Sequence, residues 1–401
     1  MAFNQEGKEN FPKWPIHDED EIKALENVIK SGNWWCGAPG SHQGDHVWAF
    51  QEEFADFQEA KHCVAVFNGT VAIEAALMAF NIGLGDEVIV SDYTFVASAS
   101  AVIATNAVPI LCDIDPETLV MNVNIVEDLI TERTKAIIPV HLGGNPVEMD
   151  ELKKIADDHN LHIIEDCAHA HGSRYKGRRM GNWGDAGTFS FQASKVLTAG
   201  EGGAIICNSK ELADNIYTYS DCGRHIGAFG YKHFSYGTNY RMSEYQAAVI
   251  RAQLIKFPKQ HELRNKNARY LSGRLNEIDG IRVMKPTPGT SELGWYVFPL
   301  VFDPDQFGGL TKSKFYKRLN RKGIPTDFCY PPLHTLDCFK EIILKKGIDY
   351  SQANWGKEKS NDDNFPTVSN IYSRSIEFPQ ELLLASQDKL DWIVEVIESF
   401  K

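Results

Sequence analysis

Between residues 62 and 207 short β-branched runs recur with helix-like stretches between them, and this rhythm limits what the chain can fold into more than any other feature. The runs are CVAVF (63–67), EVIV (87–90), PILCDI (109–114), AIIPV (136–140), HIIED (162–166), TFSF (188–191) and GAIIC (203–207). Alternation of this kind predicts an α/β fold with a mainly parallel sheet flanked by helices. The intervening VAIEAALMAF (71–80) and MDELKKIADDH (149–159) carry helical spacing. Ahead of the first run, residues 44–62 place Val47, Phe50, Phe54 and Phe57 three and four apart, which is one face of a helix.

The segment 243–260 reads as a long helix ending near Pro258, because proline removes a backbone donor and crowds the preceding turn. A domain boundary is placed there, giving a large domain over 1–257 and a smaller α+β domain over 258–401. The smaller part predicts strands at 281–284 and 295–302, a helix at 311–321 and an amphipathic helix at 386–400. The polar stretch 345–365 is expected to be a surface excursion.

With 41 Lys and Arg against 54 Asp and Glu, the net charge of −13 argues against a phosphate-backbone surface, so nucleic acid is not an expected partner and a small molecule is. No apolar run is long enough for a bilayer, and the first residues lack the apolar core of a signal peptide, so the expected location is cytoplasmic and off the membrane. Eight scattered cysteines form no CxxC and no His/Cys spacing of a zinc site, so no metal is expected. Cys63, Cys112, Cys167 and Cys207 fall in or beside strand-like runs and predict reduced core residues.

Five segments carry candidate chemistry. In GTFSFQASKVLTAGEGG (187–203), Thr188, Ser190 and Gln192 share one strand face and Phe189 and Phe191 the other, with Lys195 just beyond. Desolvation there lowers an ammonium pKa and makes Lys195 a nucleophile able to form a Schiff base, although most lysines after strands are simply solvated. In LHIIEDCAHAHGS (161–173) a strand ends at Asp166, the edge where open α/β sheets bind ligands. A carboxylate there holds a pyridine nitrogen protonated or, with equal simplicity, caps the next turn. Asn68-Gly69-Thr70 joins a strand to a helix N-terminus, which suits a phosphate but is also a common structural turn. Tyr93, after the run EVIV, offers either a ring to lie on a planar cofactor or ordinary core packing. Asn239 and Arg241 lie on a polar loop before the boundary helix, which is also an ordinary capped helix entry.

Together these segments resemble the DegT/DnrJ/EryC1/StrS family of sugar aminotransferases, over residues 20–400. The matching landmarks are SGNWW (31–35), NGT (68–70), DYTFVA (92–97), PVHLGG (139–144), EDCAHAHG (165–172), SFQASK with GEGG (190–203) and GTNYRM (237–242), and their order and spacing are more specific than any one of them. The resemblance implies a fold-type I transferase dependent on pyridoxal 5′-phosphate, with Lys195 forming the Schiff base and Asp166 pairing with the pyridinium nitrogen. It also implies that Gly69, Thr70 and Ser190 hold the phosphate, that Tyr93 stacks on the ring, and that Asn239 reaches the phosphate of the neighbouring subunit of a homodimer with shared active sites. His169 stands where many members carry glutamine near the cofactor's 3-hydroxyl, and Asn68 where serine is frequent. These departures and the tandem tryptophans look more like the branch of scyllo-inosose aminotransferases and 3-amino-5-hydroxybenzoate synthases.

The implied reaction is ping-pong transfer from L-glutamate or L-glutamine to a keto-sugar or keto-cyclitol, with one lysine serving as base and acid. An aromatising synthase using the same lysine is the nearest rival, and a non-catalytic cofactor-binding regulator is the reading from another class. A sugar 3-dehydratase is disfavoured by Lys195, because such relatives carry histidine at that position. Tyr330 and His334 in CYPPLHTL are candidate substrate contacts, although a histidine in a proline-bounded loop is more often structural.

Overall fold

The computed structural model describes residues 11–36, 45–227, 230–339, 353–355 and 364–401. The expectations for the N-terminal segment and for the excursion at 345–365 lie largely outside them, but the described part of the latter is not a surface excursion: Ala353, Trp355 and Phe365 are buried, and Trp355 Nε1 donates to Pro109 O at 2.5 Å.

The anticipated strands form one seven-stranded sheet. They are β1 (His62–Val66), β2 (Glu87–Ser91), β3 (Val108–Cys112), β4 (Thr134–Ile138), β5 (His162–Asp166), β8 (Ala186–Ser190) and β9 (Gly203–Cys207), in the order β1-β9-β8-β5-β4-β2-β3. Only β9 runs against its neighbours. The other six point their carboxyl ends to one edge, which therefore collects Asn68, Asp92, Asp166 and Ser190.

Helices cover the sheet. α2 (Asp45–Gln58) buries Val47, Phe50 and Phe54 as its periodicity predicts. Phe54 meets Phe189 and Phe191 edge-on at 5.1 and 5.2 Å, so the two phenylalanines of the β8 segment point into the core and leave Thr188 and Ser190 on the opposite face. α3 (Gly69–Ala79), α4 (Ala97–Ala104) and α5 (Met149–His159) fill the connections between parallel strands.

Three α-helices among the described residues went unpredicted, one of them Pro366–Ser373. α1 (Glu19–Ser31) begins with a capping box in which Asp18 and Glu21 exchange backbone donors, and Lys256 pairs with both carboxylates. α6 (Lys210–Ser220) starts on Ser209, whose hydroxyl accepts from Leu212 N–H.

The helix expected to end near Pro258 instead runs from Glu244 to Leu275 as α7, 32 residues long, so the boundary placed at 257/258 falls inside continuous helix. Pro258 lies on the solvent face, while Phe257, His261, Arg264, Ala268 and Leu271 are buried. Their burial outweighs the roughly 3 kcal/mol that an interior proline costs. One half of α7 packs on α1 and α2 and the other on the C-terminal elements.

Those elements form a three-stranded antiparallel sheet, β10 (Ile281–Val283), β12 (Val297–Phe302) and β13 (Ser375–Pro379), in the order β10-β12-β13. α8 (Lys312–Arg321) and the terminal helix Gln387–Glu398 match the sequence expectation. A second small sheet, made of β6 (Arg174–Tyr175), β7 (Arg178–Arg179) and β11 (Thr290–Glu292), links the two halves of the chain. No helix among the described residues is long and apolar enough to cross a membrane.

Candidate active site

Lys195 sits in a tight turn after β8, its N–H donating to Gln192 O at 2.8 Å while Ala193 N–H donates to Gly200 O. The side chain is buried, with Nζ 4.0 Å from the centroid of the Tyr296 ring, and burial pushes its ammonium down to about 8 against the opposing pull of Asp166 and Glu377. Tyr296 is itself fixed by a 2.8 Å hydrogen bond between its hydroxyl and Ser194 Oγ.

At the end of β5 the alternation of faces separates two adjacent carboxylates. Glu165 turns into the fold, where it accepts from the N–H groups of Gly181, Trp183 and Gly184 at 2.7–2.8 Å and meets His141 Nε2 at 3.1 Å. Cys167 lies close enough that His141, Glu165 and Cys167 have the donor set of a metal site, but this set is already engaged as a structural brace. Asp166 turns the other way, toward Lys195. Ser98 Oγ donates to its Oδ2 at 2.7 Å, and Ala168 N–H to its Oδ1 at 3.1 Å, so it also makes the turn cap that was its structural alternative.

His169 lies between the two halves of the site, its ring centroid 4.1 Å from that of Tyr296 and its Nε2 3.4 Å from the Tyr330 hydroxyl. Gly143 N–H donates to Nδ1 at 3.2 Å, and burial holds the imidazole well below its usual pKa, so His169 is neutral. At the start of α3, Asn68 Oδ1 accepts from Val71 N–H at 3.0 Å. The N–H groups of Gly69 and Thr70 belong to the first helical turn, which has no intrahelical acceptor for them. A Cβ on Gly69 would stand 2.7 Å from Ser190 Cβ, so only glycine lets the helix start lie against that serine. Gly69, Thr70 and Ser190 thus bring two helix-start N–H groups and a hydroxyl together at the carboxyl edge of the sheet, the kind of donor set that suits an anion.

Three expected roles fare differently. Tyr93 is not free to stack on a cofactor: its ring is buried and its hydroxyl lies 3.3 Å from Ser375 Oγ, tying the main sheet to β13. The half-exposed ring is Phe95, two residues on and 5.8 Å from Tyr330, which the sequence reading passed over. His334 is likewise no substrate contact. It is buried, its Nδ1 2.5 Å from Asp92 Oδ2 and its N–H 2.9 Å from Asp92 Oδ1, and it stacks on Phe365. Asn239 lies exposed on the loop before α7, with its backbone bridged to Asp221 and the next residue, Tyr240, accepting from Phe67 N–H, and among the described residues no hydrogen bond joins it to another candidate cofactor residue.

Sheet order, the buried lysine and the carboxylate facing it define an aminotransferase of the fold-type I class. More narrowly, the chain belongs to the DegT/DnrJ/EryC1/StrS aminotransferase family, whose model matches residues 15–362. It is 40% identical over 335 residues to the L-glutamine:2-deoxy-scyllo-inosose aminotransferase of Streptoalloteichus tenebrarius, covering 81% of this chain and 79% of that one. It is 34% identical to the 3-amino-5-hydroxybenzoate synthase of Amycolatopsis mediterranei, covering 96% of each. The crystal structure of a 3-amino-5-hydroxybenzoic acid synthase superposes with a TM-score of 0.88 at 31% identity, over 97% of this chain and 98% of that one.

Proposed function

We propose that this enzyme binds pyridoxal 5′-phosphate through Lys195 Nζ and moves an amino group from L-glutamine to a keto-cyclitol in a ping-pong cycle. The observation that carries this is a buried lysine, its ammonium pushed down to about 8 with Asp166 pulling the other way, together with that carboxylate fixed by Ser98 and Ala168. The cyclitol acceptor and the amide donor are supported by similarity to the scyllo-inosose aminotransferases. Pyridoxal phosphate supplies an electrophilic aldehyde and a ring that accepts electron density from the substrate carbon.

The chain's own residues do the rest. Lys195, its ammonium brought down to about 8 so that a fraction of neutral amine is present near neutrality, would hold the group and, when displaced by substrate, would take the Cα proton on Nζ and return it. Asp166 keeps the ring nitrogen protonated, with both of its oxygens fixed so that the charge is preorganised. His169, neutral, offers Nε2 to the ring's hydroxyl edge, and Phe95 supplies the flat apolar face. Gly69, Thr70 and Ser190 bind the phosphate, completed by Asn239 of a second copy, which makes the working unit a homodimer.

The test is spectroscopic. Cofactor-loaded protein loses its aldehyde-form absorbance on addition of L-glutamine, and inososes restore it where nucleotide keto-sugars do not. Protein that stays colourless after reconstitution, or absorbance unmoved by amino donors, overturns the reading. The full-length similarity to the benzoate synthase favours a second reading, aromatising dehydration of a cyclic aminoketone. A new ultraviolet-absorbing aromatic amine formed without donor consumption would establish it instead.

A further inference from the structure

Between the second half of α7 and the strands β10 and β11 lies a cavity of about 560 Å³ that has no part in the chemistry above. Its charge is unbalanced. Arg269, Arg282 and Lys285 line it against one acid, Glu117, and Lys285 Nζ takes that carboxylate at 2.9 Å. Among the described residues Arg282 reaches only the Glu117 carbonyl, at 3.3 Å, and Arg269 has neither a hydrogen bond nor an ion pair. Two guanidinium groups are thus left without a carboxylate, in a chain whose net charge is −13.

Two buried donors are also left over. Trp295 and Thr290 line the same cavity, and neither the indole Nε1 of one nor the hydroxyl of the other has a partner among the described residues. An indole N–H can only donate, so an acceptor is what satisfies it. Trp295 is held there against its backbone preference: its φ of 50° is left-handed, an outlier for a bulky side chain. The preceding residues enforce this. Asn265 accepts from Leu293 N–H at 3.0 Å and donates to Leu293 O at 2.9 Å, Gly294 N–H donates to Ser173 Oγ at 2.7 Å, and a Cβ on Gly144 would stand 2.4 Å from Gly294 N. The next residue is Tyr296, whose ring centroid lies 4.0 Å from Lys195 Nζ and 4.1 Å from that of His169. Consecutive side chains therefore border the cavity and the candidate active site.

We propose that this cavity is a regulatory site for a small phosphate monoester. Arg269, Arg282 and the unpartnered donors of Trp295 and Thr290 take the phosphate oxygens, and Val283 and Met284 meet the carbon skeleton. A guanidinium fork matches two oxygens of a phosphate, and the third oxygen leaves an acceptor for the indole. Occupation fixes Trp295 and, through the shared backbone, Tyr296 beside Lys195. The binding stands apart from the aminotransferase reading, whereas the coupling to Lys195 rests on it.

The test is calorimetry on the holoenzyme, in which the cofactor fills the active-site phosphate position, with glycerol phosphate as the monoester and succinate as a dicarboxylate control. The monoester should bind once per chain and more tightly than succinate, and Arg269→Gln and Arg282→Gln should each weaken it about tenfold. Arg269 is exposed, so its variant should keep the wild-type donor half-reaction when no ester is present. With ester present, the rate at which L-glutamine bleaches the cofactor should change in the wild type and stay fixed in Arg269→Gln. Absence of binding, binding unaltered in both variants, or succinate bound as tightly overturns the site. Binding that leaves the bleaching rate untouched overturns its regulatory role. Protein that takes up no cofactor yet binds the ester through Arg269 and Arg282 overturns the aminotransferase reading and leaves the site standing.

Discussion

Lys195 sets function against stability at one atom. Burial lowers its ammonium from 10.5 to about 8, and at about 1.4 kcal/mol per pKa unit the cofactor-free fold is penalised by roughly 3 kcal/mol at neutral pH. Lys195→Met should therefore abolish amino transfer, by at least about 10³-fold, yet raise the unfolding free energy of the cofactor-free protein by about 1–3 kcal/mol at pH 7 in urea titrations. The sign fixes the pH dependence. Between about 8 and 10.5 the folded lysine has released a proton that the unfolded one still holds, so wild-type stability climbs through that window and the variant's advantage shrinks.

His334 tests the opposite kind of residue. His334→Ala leaves Asp92 buried without its side-chain partner, and should cost about 3 kcal/mol in denaturant unfolding with little change in KM. The sequence showed that Lys195 and Asp166 follow apolar strands, which is why they were found. It could not show that Tyr93 turns inward and Phe95 outward, because that depends on where β13 comes to rest.

At the scale of elements, the start of α3 is packed hard against β8. Gly69→Ala would drive a Cβ to 2.7 Å from Ser190 Cβ and 3.2 Å from its Cα, forcing the helix start off the strand. Overpacking of this kind costs about 1–3 kcal/mol, and retention of cofactor on gel filtration should fall with it. In α7 the expected change has the other sign: Pro258→Ala restores a backbone donor on an exposed turn and should raise the urea midpoint by an amount equivalent to about 1 kcal/mol or more.

The strands of the main sheet were legible because Val and Ile runs buried on both faces have few alternatives. α1 was missed although Asp18 and Glu21 carry its capping signature, because its sequence is mostly polar and it buries only Glu21 and Val28. β6, β7 and β11 have only two or three residues each, too few to show a period. Pro258 misled for a physical reason: local propensity was overridden by the buried stripe continuing to Leu275.

At the scale of the whole molecule, the homodimer that the resemblance implies can be set against the exposed surface. The exposed Ile22, Ile29, Trp34 and Trp35 lie on and just after α1, and Tyr231, Phe234 and Tyr236 lie on the loop leading to Asn239. Trp34 reaches Tyr245, and Trp35 bridges to Ser243 with Arg241 over its ring, so the aromatic surface continues around the start of α7. An apolar surface of this kind is the mark of an interface, and a second copy is the occupant that would bring Asn239 to a phosphate cradle. Complementation tests this directly. Lys195→Ala removes the lysine from its own subunit's site, whereas Asn239→Ala should weaken the site of the neighbour. In a hybrid dimer one site then lacks both groups and the other has both intact. Random mixing makes about half of the dimers hybrid, so activity should recover to about a quarter of the wild-type value from two crippled parents. If Asn239 served its own subunit, no hybrid site would be whole, and activity on mixing would stay at the average of the parents.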